Sequence, residues 1–165
     1  MNKHFLLKQP MEQDDQKECK DCMDMNLARD MGRTCVCFNM RKATRFITQF
    51  YDRSLRSTGL RVTQLSLMTA IRVLGPISFR PLSEAVGMDQ TTLSRNVSLL
   101  EKKGLVEMEP GEDHRSRRIC LTQSGHEGLK QAYPLWKAAQ AKIVSKIGSD
   151  NWTSVLESMN SMMRN

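Results

Sequence analysis

The stretch RPLSEAVGMDQTTLSRNVSLLEKKGLV, residues 80–106, decides the fold of this chain. Pro81 suits the first turn of a short helix, and Gly87 supplies a tight turn after that helix. Asp89 then serves as the N-cap of a second helix, which ends at Gly104. The second helix has one apolar stripe, formed by Leu93, Val97 and Leu100. Two short helices joined through a glycine turn predict a helix-turn-helix.

The opposite face of the second helix is polar and cationic. Its members are spaced at i, i+4, i+7 and i+11, and they are Thr91, Arg95, Ser98 and Lys102. The N-terminal turns of a recognition helix reach base edges in the major groove, and here they hold Gln90, Thr91, Thr92 and Arg95. We include Ser94 among the predicted DNA contacts. An ordinary solvated helix face has a similar composition, so this pattern alone leaves both interpretations open.

The segment that follows predicts a small β-hairpin with a basic tip. Residues 105–110 and 119–122 alternate apolar and polar side chains, and GEDHRSRR, residues 111–118, lies between them. A two-stranded ribbon directly after a helix-turn-helix is a winged helix, whose tip lies beside a minor groove that attracts arginine. The predicted wing contacts are Asp113, which orients Arg115, and His114, Arg115, Arg117 and Arg118. The alternative is a local surface pair of Asp113 and Arg115, worth ~0–1 kcal/mol.

This order of motifs resembles the multiple-antibiotic-resistance regulator (MarR) family of winged-helix repressors. The match covers roughly residues 34–148, and its most specific part is Asp-x-Arg at Asp113-His114-Arg115, which runs on into LTQSG. The resemblance implies a homodimer that binds a pseudo-palindromic operator in double-stranded DNA. It also implies base-reading by the start of the second helix, at Gln90, Thr91, Thr92 and Arg95, and a minor-groove contact by Arg115. Residues 1–33 have no counterpart in the common family pattern.

We expect a mainly α fold with a small β-hairpin wing, divided into four segments. Residues 1–33 are predicted to be a flexible acidic arm containing cysteine and methionine, and residues 34–58 an N-terminal helix for dimerisation and core. Residues 59–122 form the winged helix-turn-helix, in which Thr63 caps the helix before the quoted stretch. Residues 123–165 are predicted dimerisation helices, because their apolar faces exceed what a small winged domain covers. The alternative is that these last helices fold back on their own core.

The charge of the chain favours an acidic partner. The formal net charge is +7, and residues 34–128 hold fourteen Lys and Arg against nine Asp and Glu. No apolar run approaches the roughly 18 residues that a membrane span needs. The opening MNKHFLLK is a poor signal peptide, because Lys8 interrupts its apolar stretch. These features predict a cytoplasmic protein with no membrane partner, in which thiols rather than structural disulfides are expected.

Two close pairs of cysteines suggest a response to an effector. Cys19 and Cys22 lie in the arm, and Cys35 and Cys37 lie where the first long helix should begin. Four thiols could bind zinc or Cu(I), could form a disulfide switch, or could be plain thiols with neither activity. No cofactor is certain. The effector is an unknown small molecule, oxidant or metal.

The start of the first long helix discriminates between these alternatives. If Thr34 is its N-cap, Cys35 and Cys37 point in nearly opposite directions and lie in the first turn, where the helix dipole favours redox chemistry. If Asn39 is the cap, the two cysteines lie in an extended segment and a metal site becomes feasible. We favour the start at Thr34. Cys120, on the second wing strand, is predicted to point into the core.

The function predicted from these features is sequence-specific DNA binding by a transcriptional regulator, more often a repressor than an activator, and not an enzyme. A second hypothesis is a thiol oxidoreductase or metal-trafficking protein that uses Cys19 and Cys22. Against it, that pair is not set in a thioredoxin-like strand–turn–helix pattern. A third is an architectural DNA binder without sequence preference.

Overall fold

The structure is a computed structural model that describes residues 23–111 and 117–164. In this part of the chain there are seven α-helices, one 3₁₀ turn and a two-stranded antiparallel hairpin. In chain order they are α1 (Met25–Thr34), α2 (Val36–Ser54), the 3₁₀ turn Arg56–Thr58, α3 (Val62–Leu74), α4 (Phe79–Val86), α5 (Gln90–Lys102), β1 (Val106–Pro110), β2 (Arg117–Leu121), α6 (Gln123–Ile147) and α7 (Ser149–Met163). The predicted fold class, mainly α with a hairpin wing, is confirmed.

The predicted helix-turn-helix is formed by α4 and α5. The turn between them begins at Gly87, whose φ of 64° is unfavourable for residues with a side chain. Asp89 caps α5 as expected, because its Oδ1 accepts the Thr92 N–H at 2.8 Å. The apolar stripe of α5 is buried, with exposed fractions of 0–1% at Leu93, Val97 and Leu100. Burial of such side chains, at about 1.5–3 kcal/mol each, holds α5 with its polar face outward.

The wing is a short ladder whose register decides which side chains face the core. Met108 pairs with Ile119, and Glu107 pairs with Cys120. Ile119 is completely buried, so its pair faces inward and the pair of Cys120 faces outward. The prediction that Cys120 points into the core is therefore wrong. Ile119 faces inward because it packs in the larger core cluster, and its backbone also forms a bridge to Ile77, outside the hairpin.

Among the described residues after Arg41, the buried hydrophobic side chains form two clusters. The larger cluster joins α3, α4, α5, the wing and α6, and its most buried large members include Leu55, Met68, Ile71, Leu82 and Leu100. The smaller cluster joins α2 to α6 through Tyr51, Ala139 and Ile143. The Tyr51 hydroxyl donates a hydrogen bond to Gln140 Oε1, and burial raises the pKa of that hydroxyl. These contacts place α2 and α6 side by side.

The start of α3 differs from the sequence prediction. Thr63 was expected to be the cap, but α3 begins at Val62. The Val62 N–H is satisfied by Asp52 Oδ1 of α2 at 2.8 Å, and the Arg61 N–H by Gln64 Oε1 at 3.2 Å. The N-cap position is Arg61, two residues before the expected Thr63, because a carboxylate from another helix satisfies the N–H that follows it.

The N-terminal part of the described chain, up to Arg41, forms a separate compact unit. Within it, Asp24 caps α1 by accepting the Asn26 N–H at 2.9 Å. This helix was not expected, because residues 1–33 were predicted to be a flexible arm, and residues 1–22 lie outside the described part. The four-segment division stays a prediction. Where the structure is described, no helix is both long and apolar enough to span a bilayer.

Candidate nucleic-acid interface

The candidate interface begins with the outer face of α5. Every side chain predicted to contact DNA from this helix is exposed, and these are Gln90, Thr91, Thr92, Ser94, Arg95, Ser98 and Lys102. The buried stripe on the other side of α5 orients them together. Hydroxyls, an amide and a guanidinium on the first two turns are the groups that hydrogen-bond base edges in a major groove.

The first turn of α5 is fixed by Asp89. Its carboxylate accepts from the Thr92 hydroxyl at 2.7 Å as well as from the Thr92 N–H. The hydrogen bond from the Thr92 hydroxyl is the largest cause that lowers the pKa of Asp89, and the Thr92 N–H is the next. Asn96 adds a further bond from its Nδ2 to the Thr92 carbonyl oxygen at 2.8 Å. Thr92 therefore holds the helix start, and its hydroxyl proton is already committed to Asp89.

Neighbouring lysines at the end of α5 are placed differently. Lys103 Nζ donates to the Gly59 carbonyl oxygen and to Gln64 Oε1, both at 3.1 Å. Lys103 therefore ties the end of α5 to the start of α3. Lys102, one residue earlier, lies on the outer face with Arg95. The two lysines are therefore placed differently although they are adjacent in the sequence.

One exposed side chain on α5 was missed by the sequence analysis. Leu99 is 52% exposed and lies one turn after Arg95. The signal was present in the pair Leu99-Leu100, because a single helix face cannot bury two consecutive residues and Leu100 belongs to the core stripe. Apolar side chains on such a face can contact thymine methyl groups.

The wing supplies the second part of the interface. Its strands place the exposed Arg117 opposite Pro110, at the last pair before the tip. Arg118 is half-buried, and its Nε donates to the Pro76 carbonyl oxygen at 3.2 Å. The predicted tip contacts lie outside the described residues, and they are Asp113, His114 and Arg115.

Only one of the two predicted cysteine pairs lies in the described part of the chain. Cys35 and Cys37 are exposed and free, whereas Cys19 and Cys22 lie outside the described residues. α1 ends at Thr34 and α2 begins at Val36, so neither Thr34 nor Asn39 caps α2. Cys35 takes the cap position, and the Phe38 N–H points to its Sγ at 3.5 Å. Cys35 is therefore the first residue outside α2 and has extended backbone angles, with φ −60° and ψ 113°.

Cys120 lies among carboxylates on the outer face of the wing. Within the described ranges, three side chains that could bind a metal ion lie close together here. They are Glu107, Glu109 and Cys120, and their ligand atoms lie within 4.8 Å of one another. Burial, followed by the hydrogen bond and negative charge of Glu109, raises the pKa of the Cys120 thiol to about 11. A thiol in this state is protonated at neutral pH and reacts slowly with oxidants.

An apolar cleft of about 560 Å³ lies between α3 and α6. Its lining comprises Leu65, Ser66, Thr69, Leu129, Tyr133 and Trp136. The two aromatic rings are stacked, with centroids 6.0 Å apart. Ser66 and Thr69 donate their hydroxyl protons to carbonyl oxygens within α3, so their oxygens offer only acceptor positions to a ligand. The cleft suits an aromatic ligand that donates a hydrogen bond.

Known proteins are similar to this chain in sequence and fold. A family profile described as MarR family matches residues 58–116. The M. tuberculosis transcriptional regulator MosR, solved in complex with DNA, is 35% identical with a TM-score of 0.72, over 78% of this chain and 93% of MosR. The HTH-type transcriptional regulator SarZ of Staphylococcus haemolyticus is 32% identical over 91 residues, which are 54% of this chain and 62% of SarZ.

A more distant structure shares the fold. The organohalide-sensing regulator RdhR-CbdbA1625, in its 2,4-dichlorophenol-bound form, has a TM-score of 0.70 at 16% identity, over 95% of this chain and 86% of RdhR-CbdbA1625. With MosR matched along nearly its whole length, and the profile matching the helix-turn-helix and the first strand of the wing, the chain belongs to the MarR family of DNA-binding transcriptional regulators.

Proposed function

We propose that this regulator is a repressor that binds a pseudo-palindromic operator as a homodimer, with α5 in the major groove and the wing beside the minor groove. The observation that carries the proposal is the exposed polar face of α5, oriented by its buried stripe and followed directly by the hairpin. In a symmetric dimer, the half-sites would be about one helical turn, ~34 Å, apart. The protein would act in the cytoplasm, where its operator lies.

Fluorescence anisotropy with a duplex that covers the promoter of its own operon tests this proposal. We expect binding that survives an excess of random duplex, because base contacts add specificity to the phosphate contacts. Equal competition by random duplex would instead support the architectural DNA binder. Arg115→Ala should abolish specific binding while the protein stays folded, and unchanged binding by this variant would contradict the wing assignment.

The homodimer is supported by apolar residues on the terminal helices. Large apolar side chains that are exposed there include Met25, Leu27, Met31, Val36, Phe38, Phe46, Val155, Leu156, Met162 and Met163. Exposed large apolar side chains in such number are typical of helices that a partner subunit covers. Sedimentation equilibrium should give twice the chain mass of 18.9 kDa. A monomer at micromolar concentration would contradict this part of the proposal.

The α3–α6 cleft is the proposed effector site. Described side chains that line it include no charged group, so it suits an uncharged aromatic compound with a hydrogen-bond donor, such as a phenol. The 2,4-dichlorophenol held by RdhR-CbdbA1625 belongs to this class. Calorimetry with 2,4-dichlorophenol as the probe should detect binding that Thr69→Trp removes, because the indole would fill the cleft.

The cysteines remain a candidate sensor of oxidants or of a thiophilic metal. Cys35 and Cys37 are exposed and free, so both are accessible to an oxidant and to a metal ion. Metal content and thiol titration of protein purified without oxygen, repeated with Cys35→Ser and Cys37→Ser, discriminate between the alternatives. One equivalent of zinc or copper that is lost in both variants indicates a metal sensor. Rapid crosslinking by peroxide indicates an oxidant sensor. If neither bound metal nor rapid crosslinking is observed, the thiols have no sensing role.

A further inference from the structure

The linker between α3 and α4 is fastened to the wing. Ile77 and Ile119 form two backbone hydrogen bonds, from the Ile77 N–H at 3.1 Å and from the Ile119 N–H at 2.8 Å. Beside them, Arg118 Nε donates to the Pro76 carbonyl oxygen at 3.2 Å. Ile119 is completely buried under this bridge. The linker is therefore joined to the outer edge of β2 by an isolated antiparallel bridge.

The same linker continues directly from α3. The helix ends at Leu74, and Gly75 makes the turn with φ 75°, a value at which residues with a side chain are strained. Pro76 follows, and its ring fixes φ. Only Gly75 thus lies between Leu74, the last residue of α3, and Pro76, the first linker residue that is bonded to β2.

Arg117 and Arg118 differ in what their side chains contact. Arg117 is exposed at the end of the ladder. Arg118 is half-buried and opposite Glu109, and its Nε–H is bonded to a carbonyl that belongs to the linker. This hydrogen bond fixes the position of the Arg118 guanidinium when no DNA is bound. Both residues were predicted to contact DNA, and their surroundings favour that role only for Arg117.

We infer that Arg118 is a positioning residue that fastens the wing to the end of α3, so that the wing follows α3 when that helix moves. Because α3 also lines the apolar cleft through Ser66 and Thr69, a change in the cleft would be carried to the wing. The regulatory consequence rests on the proposed function of the cleft and of the wing. The fastening itself is a property of the free protein and can be tested without DNA or effector.

Hydrogen exchange in the free, full-length protein tests the fastening. We expect the amides of Ile77 and Ile119 to exchange roughly tenfold faster in Arg118→Gln, because loss of the Pro76 bond lets the bridge open more often. Arg117→Gln removes the same charge from the next residue and should leave both rates unchanged. Arg118→Lys, which keeps the charge but lacks the guanidinium Nε, should give an intermediate rate and replaces Arg118→Gln if that variant does not fold. Wild-type exchange in every Arg118 variant overturns the inference.

The salt dependence of binding to the promoter duplex separates positioning from phosphate contact. Loss of a phosphate contact lowers the slope of log K against log salt by about 0.9. We expect this change in Arg117→Gln, whereas Arg118→Gln should weaken binding severalfold at every salt concentration with the slope preserved. A reduced slope in Arg118→Gln with unchanged amide exchange would identify a phosphate contact and overturn the inference. If neither variant alters DNA binding although the Ile119 amide is accelerated, the proposed function of the wing fails and the fastening stands.

A bulky side chain in the cleft tests the connection to α3 without an effector. Thr69→Trp should shift the amide resonances of Ile77 and Ile119, because the indole would push α3 from within the cleft. Thr63→Trp is the matched control, since Thr63 is exposed on α3 and outside the lining of the cleft. Thr69→Trp shifts at Ile77 and Ile119 that disappear when Arg118→Gln is added support the connection. Equal resonances in Thr69→Trp and wild type overturn it.

Discussion

Gly125 lies directly against the backbone of Leu105. A Cβ at Gly125 would be 2.1 Å from the Leu105 carbonyl oxygen, a distance that no side chain can occupy. Gly125 is in the first turn of α6, where its N–H donates to the Thr122 hydroxyl that caps the helix. The Thr122 N–H in turn donates to the Leu105 carbonyl oxygen. This contact sets the angle at which α6 leaves the wing.

We expect Gly125→Ala to lower the free energy of unfolding by about 1–3 kcal/mol, because the added methyl group forces Leu105 and α6 apart. Gly128→Ala is the matched control on the same helix. The nearest atoms to a Cβ there are at 3.8 Å, so the substitution should be neutral or stabilising by up to ~1 kcal/mol. Urea unfolding at one fixed protein concentration measures both. Equal stability of the two variants would contradict the assigned contact.

Lys102 and Lys103 provide a second pair of matched variants. Lys102→Ala should weaken DNA binding and lower the slope of log K against log salt by about 0.9, with stability changed by less than about 0.5 kcal/mol. Lys103→Ala should lower stability by about 0.5–1 kcal/mol, because its Nζ bonds to Gly59 and Gln64 are lost. Anisotropy over a range of salt concentrations and thermal unfolding make the comparison. If Lys103→Ala instead weakens DNA binding and Lys102→Ala lowers stability, Lys103 is the DNA contact.

Arg95→Ala should relax base discrimination at one position of each half-site. The guanidinium lies on the second turn of α5 and is exposed, in the position from which a recognition helix reaches base edges. The expected loss is about 1–3 kcal/mol for the preferred base, with little change for the other bases. Binding to a set of duplexes that vary one base pair at a time measures this. A uniform loss across all duplexes would indicate that Arg95 contacts phosphate instead.

The helix-turn-helix could be predicted from the sequence because its signals are local. The cap Asp89 and the turn residue Gly87 act on residues within three positions of themselves, and the stripe of α5 repeats at the helix period. Side-chain directions set by distant residues could not be predicted. The sequence of β2 allows either Ile119 or Cys120 to face inward, and the choice depends on how the wing packs against the core residues of α3, α4 and α5, which are distant in the sequence.

The same limit applies to the candidate interface. Every predicted contact on α5 is exposed, because the buried stripe alone determines the outer face. The bond between Arg118 and Pro76 has no local signal, since the two residues lie 42 positions apart. Capping of α3 by Asp52 is another long-range contact. The sequence therefore predicts the residues of the candidate site. Tertiary contacts determine which cationic side chains are already hydrogen-bonded within the protein.

The charge on Asp89 gives a pH dependence with a definite sign. Hydrogen bonds from Thr92 lower the pKa of Asp89 from its ordinary value of 3.8. Because the pKa is lower in the folded state, the stabilisation is complete above the unfolded value and is lost as the pH falls through the folded value. We expect Asp89→Ala to melt at a lower temperature than wild type at neutral pH, and the difference to shrink below about pH 4. A difference that stays constant from pH 7 to about pH 3 would show that the charge of Asp89 does not contribute.

Cys120 should be the least reactive of the described thiols. Its pKa of about 11 leaves roughly one molecule in ten thousand as thiolate at pH 7, and its alkylation should accelerate about tenfold for each pH unit. Tryptic cleavage separates Cys120, in residues 119–130, from Cys35 and Cys37, in residues 34–41, so mass spectrometry follows both after iodoacetamide treatment. Glu109→Gln should speed the alkylation of Cys120, because the negative charge of Glu109, which helps to raise the pKa of that thiol, is removed. If Cys120 reacts at pH 7 as fast as the exposed Cys35 and Cys37, the carboxylates do not suppress its thiolate, and Cys120 joins the candidate redox residues.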